Sequence, residues 1–277
     1  MKECGGLGKG NLSTLKDVFL IDDNLNVQYV ANNGKEYGDT VNNKILEDET
    51  KIRFANKAFS EYVSKISGIT EEEMKFKWMK NQTTLIIADS SIDSLEDLVF
   101  FPNLTSLTLG EYGPGIPQIT TLDGIENCTK LTTLTIIRGP DKDYTALANC
   151  PNFKNFNKRY GSDYNNIIDG LKLCKNLKNC LIRDLVIGDN IDRISELGDL
   201  EVLDLSSTGI NKIMGLENKP SLKQIVLANN KITKIERLEN LSNLKQLYLN
   251  NNQITDITPL SANTALTNLD LRRKYRN

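Results

Sequence analysis

The chain has 277 residues, of which 39% are hydrophobic and 25% charged, with 34 basic side chains against 36 acidic ones and a formal net charge of −2. Those proportions suit a folded protein and leave no basic excess for a nucleic-acid backbone or an anionic membrane surface. Histidine is absent, which removes the commonest general base and the commonest zinc ligand.

No segment approaches the roughly 20 consecutive apolar residues of a transmembrane helix. The opening MKECGGLGKG lacks the apolar core of a signal peptide and reads as a flexible tail over 1–11. Its glycines do not complete the G-x-x-x-x-G-K-[ST] spacing of a phosphate loop, and no apolar strand precedes them. Across 12–50, the stretches DVFLIDD, NVQYVANN and KEYGD alternate apolar and polar residues between Asn- and Gly-rich turns, the pattern of a small β-meander.

The period changes over 51–80. In IRFANKAFSEYVSKISG, Phe59, Val63 and Ile66 fall on one helical face and Gly68 is a natural helix stop. Thr70 and Glu73 have capping-box spacing, opening a second helix through Met74 and Trp78. A helical hairpin here would cover the exposed first turn of a repeat array beginning at 81; an unrelated helical domain is the alternative.

From 81 to 277 the sequence repeats. Beginning at Leu200, LEVLDLSSTGINKIMGLENKPS is followed by LKQIVLANNKITKIERLENLSN and by LKQLYLNNNQITDITPLSANTA. The frame is L-x-x-L-x-L-x-x-N-x-I-x-x-I-x-x-L, and Leu200, Leu222, Leu244 and Leu266 open successive copies 22 residues apart. Traced backwards, the openers are Leu177, Phe153, Leu131, Leu104 and Gln82; the 27-residue step from Leu104 to Leu131 places five extra residues in EYGPGIPQ. This gives about eight full repeats and one truncated one. A fixed period of this length is the signature of a solenoid. L-x-L forms a short strand with alternate side chains inward, and stacked neighbours bury a face that no repeat can bury alone. The expected fold is therefore an α/β repeat, a right-handed leucine-rich-repeat solenoid with a curved parallel sheet. Asn230 and Asn252 stand where a side-chain amide can satisfy turn backbone. Thr208 and Ser90 could substitute, but Gly139, Gly161 and Leu185 could not, so the middle of the array is expected to be less regular. The chain stops within a repeat, at RRKYRN, which leaves Leu266, Leu269 and Leu271 as candidate exposed positions.

The repeats LKQLYLNNNQITDI and DITPL at 256–260, preceded by a helical cap before TTLIIADSSIDSLEDL, resemble the internalin-type leucine-rich repeats of bacterial surface proteins over roughly 52–277. That resemblance implies a secreted or surface-attached bacterial protein whose concave sheet grips a host or cell-surface protein, with export and anchoring segments outside this sequence. The same repeat class occurs in an intracellular phosphatase regulatory subunit, which makes a cytoplasmic scaffold the alternative.

Candidate chemistry is sparse. Cys128, Cys150 and Cys174 are 22 and 24 residues apart and hold one frame position, shared with Phe101, Leu197 and Leu241. Cys180 replaces a frame leucine, and all four read as small core residues. No C-x-x-C spacing supports zinc, and no nucleophile motif is present. No catalytic residue, metal site or cofactor is expected, and the chain reads as a non-enzymatic binder of a protein ligand.

Binding would use the outward positions of the sheet. Between the strand leucines these are Ile86, Thr108, Thr135, Asn157, Leu181, Asp204, Val226, Tyr248 and Asp270. The next two outward columns contribute Ile137, Arg159 and Arg183, then Arg138 and Tyr160. Ile137, Arg138, Arg159, Tyr160, Leu181, Arg183 and Tyr248 are the candidate partner-binding residues, because clustered aromatic, aliphatic and arginine side chains are what interface hot spots use.

Overall fold

A computed structural model describes residues 2–3, 17–21, 27–32, 51–113, 116–139 and 142–272. Nine parallel strands form one sheet in simple chain order: β5 (Thr84–Ile87), β6 (Ser106–Leu109), β7 (Thr133–Ile136), β8 (Asn155–Arg159), β9 (Asn179–Arg183), β10 (Val202–Asp204), β11 (Gln224–Val226), β12 (Gln246–Tyr248) and β13 (Asn268–Asp270). The frame leucines set the register. Leu85, Leu107, Leu134, Phe156, Cys180, Leu203, Ile225, Leu247 and Leu269 are successive partners across the ladder. All of these except Leu269, which is 40% exposed, are buried, in one continuous core running from the cap to Leu249. Slipping any strand by one residue would turn its apolar set outward, so burial along the stack fixes the pairing. The return side of most repeats is a short 3-10 helix, as at Glu96–Phe100, Thr145–Asn149 and Thr258–Ala262.

The asparagine positions act as expected. Asn230 donates from Nδ2 to the carbonyls of Leu205 (2.9 Å) and Leu227 (3.0 Å) and accepts from the Thr208 N–H at 3.1 Å. Asn252 repeats this on Leu227, Leu249 and the Ile232 N–H. Thr208 substitutes through a 2.7 Å bond to the Leu205 carbonyl, while Ser90 is exposed.

The expectation of an irregular middle needs correction. Strands β8 and β9 are five residues long, against three in β10 to β13. Their backbone ladder is imposed by ordered neighbours on both sides. Irregularity is confined to the return side, where α3 (Tyr164–Leu171) replaces a 3-10 turn, and to the turn interior. There, beside Gly139 and Gly161, lie the ammonium groups of Lys142 and Lys158, each 3.2 Å from where a glycine Cβ would stand. Lys142 donates to the Ile119 carbonyl; Lys158, at an inward strand position, lies 3.9 Å from Asp163, which accepts from Tyr144. These buried groups occupy the space that asparagine fills elsewhere.

The cysteine column is core with one refinement. Cys128 and Cys150 are buried, and each thiol points at a carbonyl of the preceding turn, Leu98 at 3.9 Å and Ile125 at 3.7 Å. Lys219 and Asn263 hold the same column, and neither was singled out from the sequence. Lys219 Nζ donates to the Leu197 carbonyl (2.6 Å) and Asn263 Nδ2 to that of Leu238 (2.7 Å). The column therefore accepts an apolar side chain or a polar one that donates to a carbonyl of the previous turn.

The first repeat is covered by α1 (Lys57–Ser67) and α2 (Phe76–Lys80). Asn56 caps α1 by accepting from the Phe59 N–H, and Gly68, at φ 70°, ends it. Phe59 and Val63 are buried as expected, but Ile66 is 46% exposed; Tyr62 and Ile69 make the core contact at that end. The Thr70–Glu73 pair bonds side chain to side chain at 2.8 Å and opens only a 3-10 turn, Glu71–Glu73. The chain is extended at Met74 because its carbonyl accepts from the Ile52 N–H, and α2 starts afresh at Phe76. Tyr62 finishes the open edge of β5: its hydroxyl donates to the Ile86 carbonyl (2.6 Å) and accepts from the Ala88 N–H (3.2 Å). Asp97, from the first repeat, accepts the Ala55 and Asn56 N–H groups at 2.8 and 2.9 Å.

Upstream, β1 (Lys2–Glu3), β2 (Asp17–Ile21) and β3 (Val27–Asn32) pair antiparallel in order, and β3 runs parallel to β4 (Ile52–Arg53). The KEYGD stretch, Cys4 and the Gly-rich segment lie outside the described residues. Among the described residues no helix is long and apolar enough to cross a membrane.

Candidate recognition surface

The outward column of the sheet runs Ile86, Thr108, Thr135, Asn157, Leu181, Asp204, Val226, Tyr248 and Asp270, each paired with the next. Arg159 and Arg183 are register partners at the ends of β8 and β9. Where β8 to β12 end, the chain bends through one left-handed residue: Tyr160 (φ 59°), Asp184 (55°), Ser207 (58°), Asn229 (57°) and Asn251 (58°). That bend lets each N–H continue the ladder into the next repeat, as Tyr160 does to the Arg183 carbonyl at 3.1 Å. Asparagine suits this conformation; a bulky side chain is a genuine outlier there. Tyr160 is that outlier.

Around Tyr160 the side chains interlock. The Arg138 guanidinium lies 5.0 Å from the Tyr160 ring centroid, and that of Arg159 lies 5.3 Å from it. Arg159 also lies 5.5 Å from the ring of Tyr112, donates to the Tyr112 hydroxyl, and donates from Nε (2.9 Å) and Nη2 (2.6 Å) to Asp184. The Asp184 carboxylate and then the Tyr112 hydroxyl hold the Arg159 pKa above its ordinary value. Arg183 donates to Asn157 at 3.0 Å and lies 3.8 Å from Asp204. Ile137 and Leu181 are half-buried beside these groups.

Six of the seven residues singled out from the sequence thus lie on adjacent turns. Tyr248 does not join them: it sits three strands from Leu181, roughly 14 Å at the usual strand spacing, and accepts from Asn268 at 3.1 Å. Two further residues belong to the cluster and were not singled out from the sequence. Tyr112, 59% exposed, comes from the inserted EYGPGIPQ stretch, and Asp184 pins Arg159. The five extra residues were the available signal, because insertions in repeat arrays map to loops on one face.

Among the described residues the four cysteines offer no reactive centre. Burial pushes the thiols of Cys150, Cys174 and Cys180 up to about 12 and that of Cys128 up as well, whereas a nucleophilic or ligating cysteine needs the opposite shift.

Residues 242–277 match the model of the family described as leucine-rich repeats (2 copies). No curated protein sequence matches the chain. Among solved structures, internalin C2 of Listeria monocytogenes is similar at a TM-score of 0.55 and 24% identity, over 78% of this chain and 93% of that one. Internalin F of the same organism gives a TM-score of 0.47 at 19% identity, over 80% and 77% of the two chains. InlP, also from Listeria monocytogenes, gives 0.46 at 19%, over 79% and 58%. The parallel stack, its leucine frame and the likeness to internalin C2 lead to one assignment of fold: this chain is a leucine-rich-repeat solenoid.

Proposed function

We propose that the chain is a non-enzymatic recognition protein that holds a protein partner on the concave face of its sheet, at a bacterial surface or after secretion. The observation that carries the reading is Tyr160, a bulky residue kept in a left-handed conformation where the following repeats use Asp, Ser or Asn, with arginines packed on its ring. Backbone strain of this kind, costing on the order of 1–2 kcal/mol, persists where surroundings over-determine it and clusters at ligand clamps. Pre-ordered Tyr and Arg side chains lose little entropy on binding. The likeness to internalin C2 supports the surface setting only as an analogy of fold.

The test is a photo-crosslinking residue placed at Leu181, with a control at Ser195 on the opposite side of the repeats. A host- or bacterial-surface protein captured from the first position and lost on joint substitution of Arg159, Tyr160 and Arg183 by Ala, with unchanged melting, supports the reading. Equal capture from both positions, or capture indifferent to the triple substitution, overturns it.

A further inference from the structure

Three arginines lie on the Tyr160 face, and they are not equivalent. Arg159 is matched by Asp184 at 2.6 Å, and Arg183 has Asp204 at 3.8 Å and a hydrogen bond to Asn157. Arg138 has neither. Its contact is the Tyr160 ring at 5.0 Å, and among the described residues no hydrogen bond or ion pair reaches its guanidinium. It is half-buried already, so its charge is only partly covered by water.

A partner that covers Tyr160 must also cover Arg138. Removing a guanidinium from water without a counter-charge costs several kcal/mol, whereas a carboxylate with bidentate geometry offsets most of that. The ring beneath Arg138 holds the planar fork in place, leaving its N–H donors free for an incoming oxygen pair. Among the described residues nothing supplies that oxygen pair, so the partner must. The required charge is a single one. Asp184 is spent on Arg159, and the outward column N-terminal to Arg138 is acidic, with Glu111 and Asp89 raising the Tyr62 pKa after its burial. In that field one carboxylate balances Arg138, while a dianionic phosphate would be left with uncompensated repulsion. Ile137 and the exposed ring of Tyr112 give the flanking contact an apolar character.

We infer that Arg138 is the charge-reading residue of the surface and that its partner is an acidic protein segment placing one Asp or Glu carboxylate, beside an apolar residue, over the Tyr160 ring. This rests on the concave-face reading above and goes further by naming the partner's chemistry.

The experiment selects random twelve-residue peptides displayed on phage against the folded chain, sorting the clones by whether Tyr160→Ala abolishes capture. Tyr160-dependent clones are expected to be enriched in Asp or Glu next to an aromatic or aliphatic residue. Arg138→Ala should weaken a synthetic peptide from such a clone by about tenfold or more, and selection on Arg138→Glu should return basic residues at the same position. Unchanged thermal melting of both Arg138 variants keeps the comparison free of unfolding. If Tyr160-dependent clones show no acidic preference, or Arg138→Glu retains the acidic one, the inference is overturned while concave-face binding stands. If no clone depends on Tyr160, on Arg159 or on Arg183, both fall together.

Discussion

Tyr112 and Arg159 are 47 residues apart in the chain and in contact in the fold: the Tyr112 hydroxyl accepts from Arg159 Nη1 at 2.5 Å, and the guanidinium lies 5.5 Å from the ring. An inserted loop of the second repeat thereby reaches across the third to order a side chain of the fourth. Tyr112→Ala should lower stability by only about 0.5–1 kcal/mol, the range of an exposed cation–π contact. It should weaken partner binding by more than that, because Arg159 loses part of its pre-organisation. Chemical denaturation and titration with a Tyr160-dependent peptide check the two halves.

Tyr160 separates strain from function. Tyr160→Asn relieves a left-handed backbone of roughly 1 kcal/mol and forfeits ring contacts of similar size, so stability in denaturant should move by less than about 1 kcal/mol. Binding should nevertheless be lost. A large destabilisation would mean that the ring is a packing element and not a ligand contact.

Asp97 joins cap to solenoid and carries a pH signature. Burial, opposed by the Asn56 and Ala55 N–H bonds, pushes its carboxyl up from 3.8 to about 6. The folded value exceeds the unfolded one, so its stabilising contribution is complete below about pH 4 and is lost as pH rises through 6. Compared with Asp97→Asn, the wild-type chain should lose about 3 kcal/mol across that window, two pK units at ~1.4 kcal/mol each. Parallel pH–stability curves for the two proteins would refute the shift.

Lys219 occupies a column held by Leu197 and Leu241 in its neighbouring repeats, with its ammonium on the Leu197 carbonyl. Burial lowers its pKa, opposed by Asp199 and Cys180. Lys219→Leu should match or exceed wild-type stability at pH 7, as replacement of buried charge by packed hydrocarbon often does. Its advantage should shrink as pH rises towards the ordinary lysine value, since the neutral amine no longer resists burial. Lys219→Ala should cost about 2–4 kcal/mol through the cavity it leaves. Urea unfolding of the three proteins between pH 7 and 10 decides it.

The stack was legible in the order of residues alone. Leucines recurring every 22 residues can be buried only by neighbouring copies, and the period-2 strand then fixes which side chains face out, from Ile86 to Asp270. That logic holds through the degenerate middle because the ladder on either side dictates register even where Lys158 replaces a leucine. Packing in three dimensions supplied what a period cannot encode. Contacts such as Tyr112 with Arg159, Asp97 with Ala55, and Tyr62 with the β5 edge join residues 24 to 47 positions apart with no repeat relationship. Side-chain direction and the matching of charges are properties of the assembled surface. Only that surface shows that Arg159 and Arg183 have acidic neighbours while Arg138, of the same residue type one column over, pairs with none among the described residues.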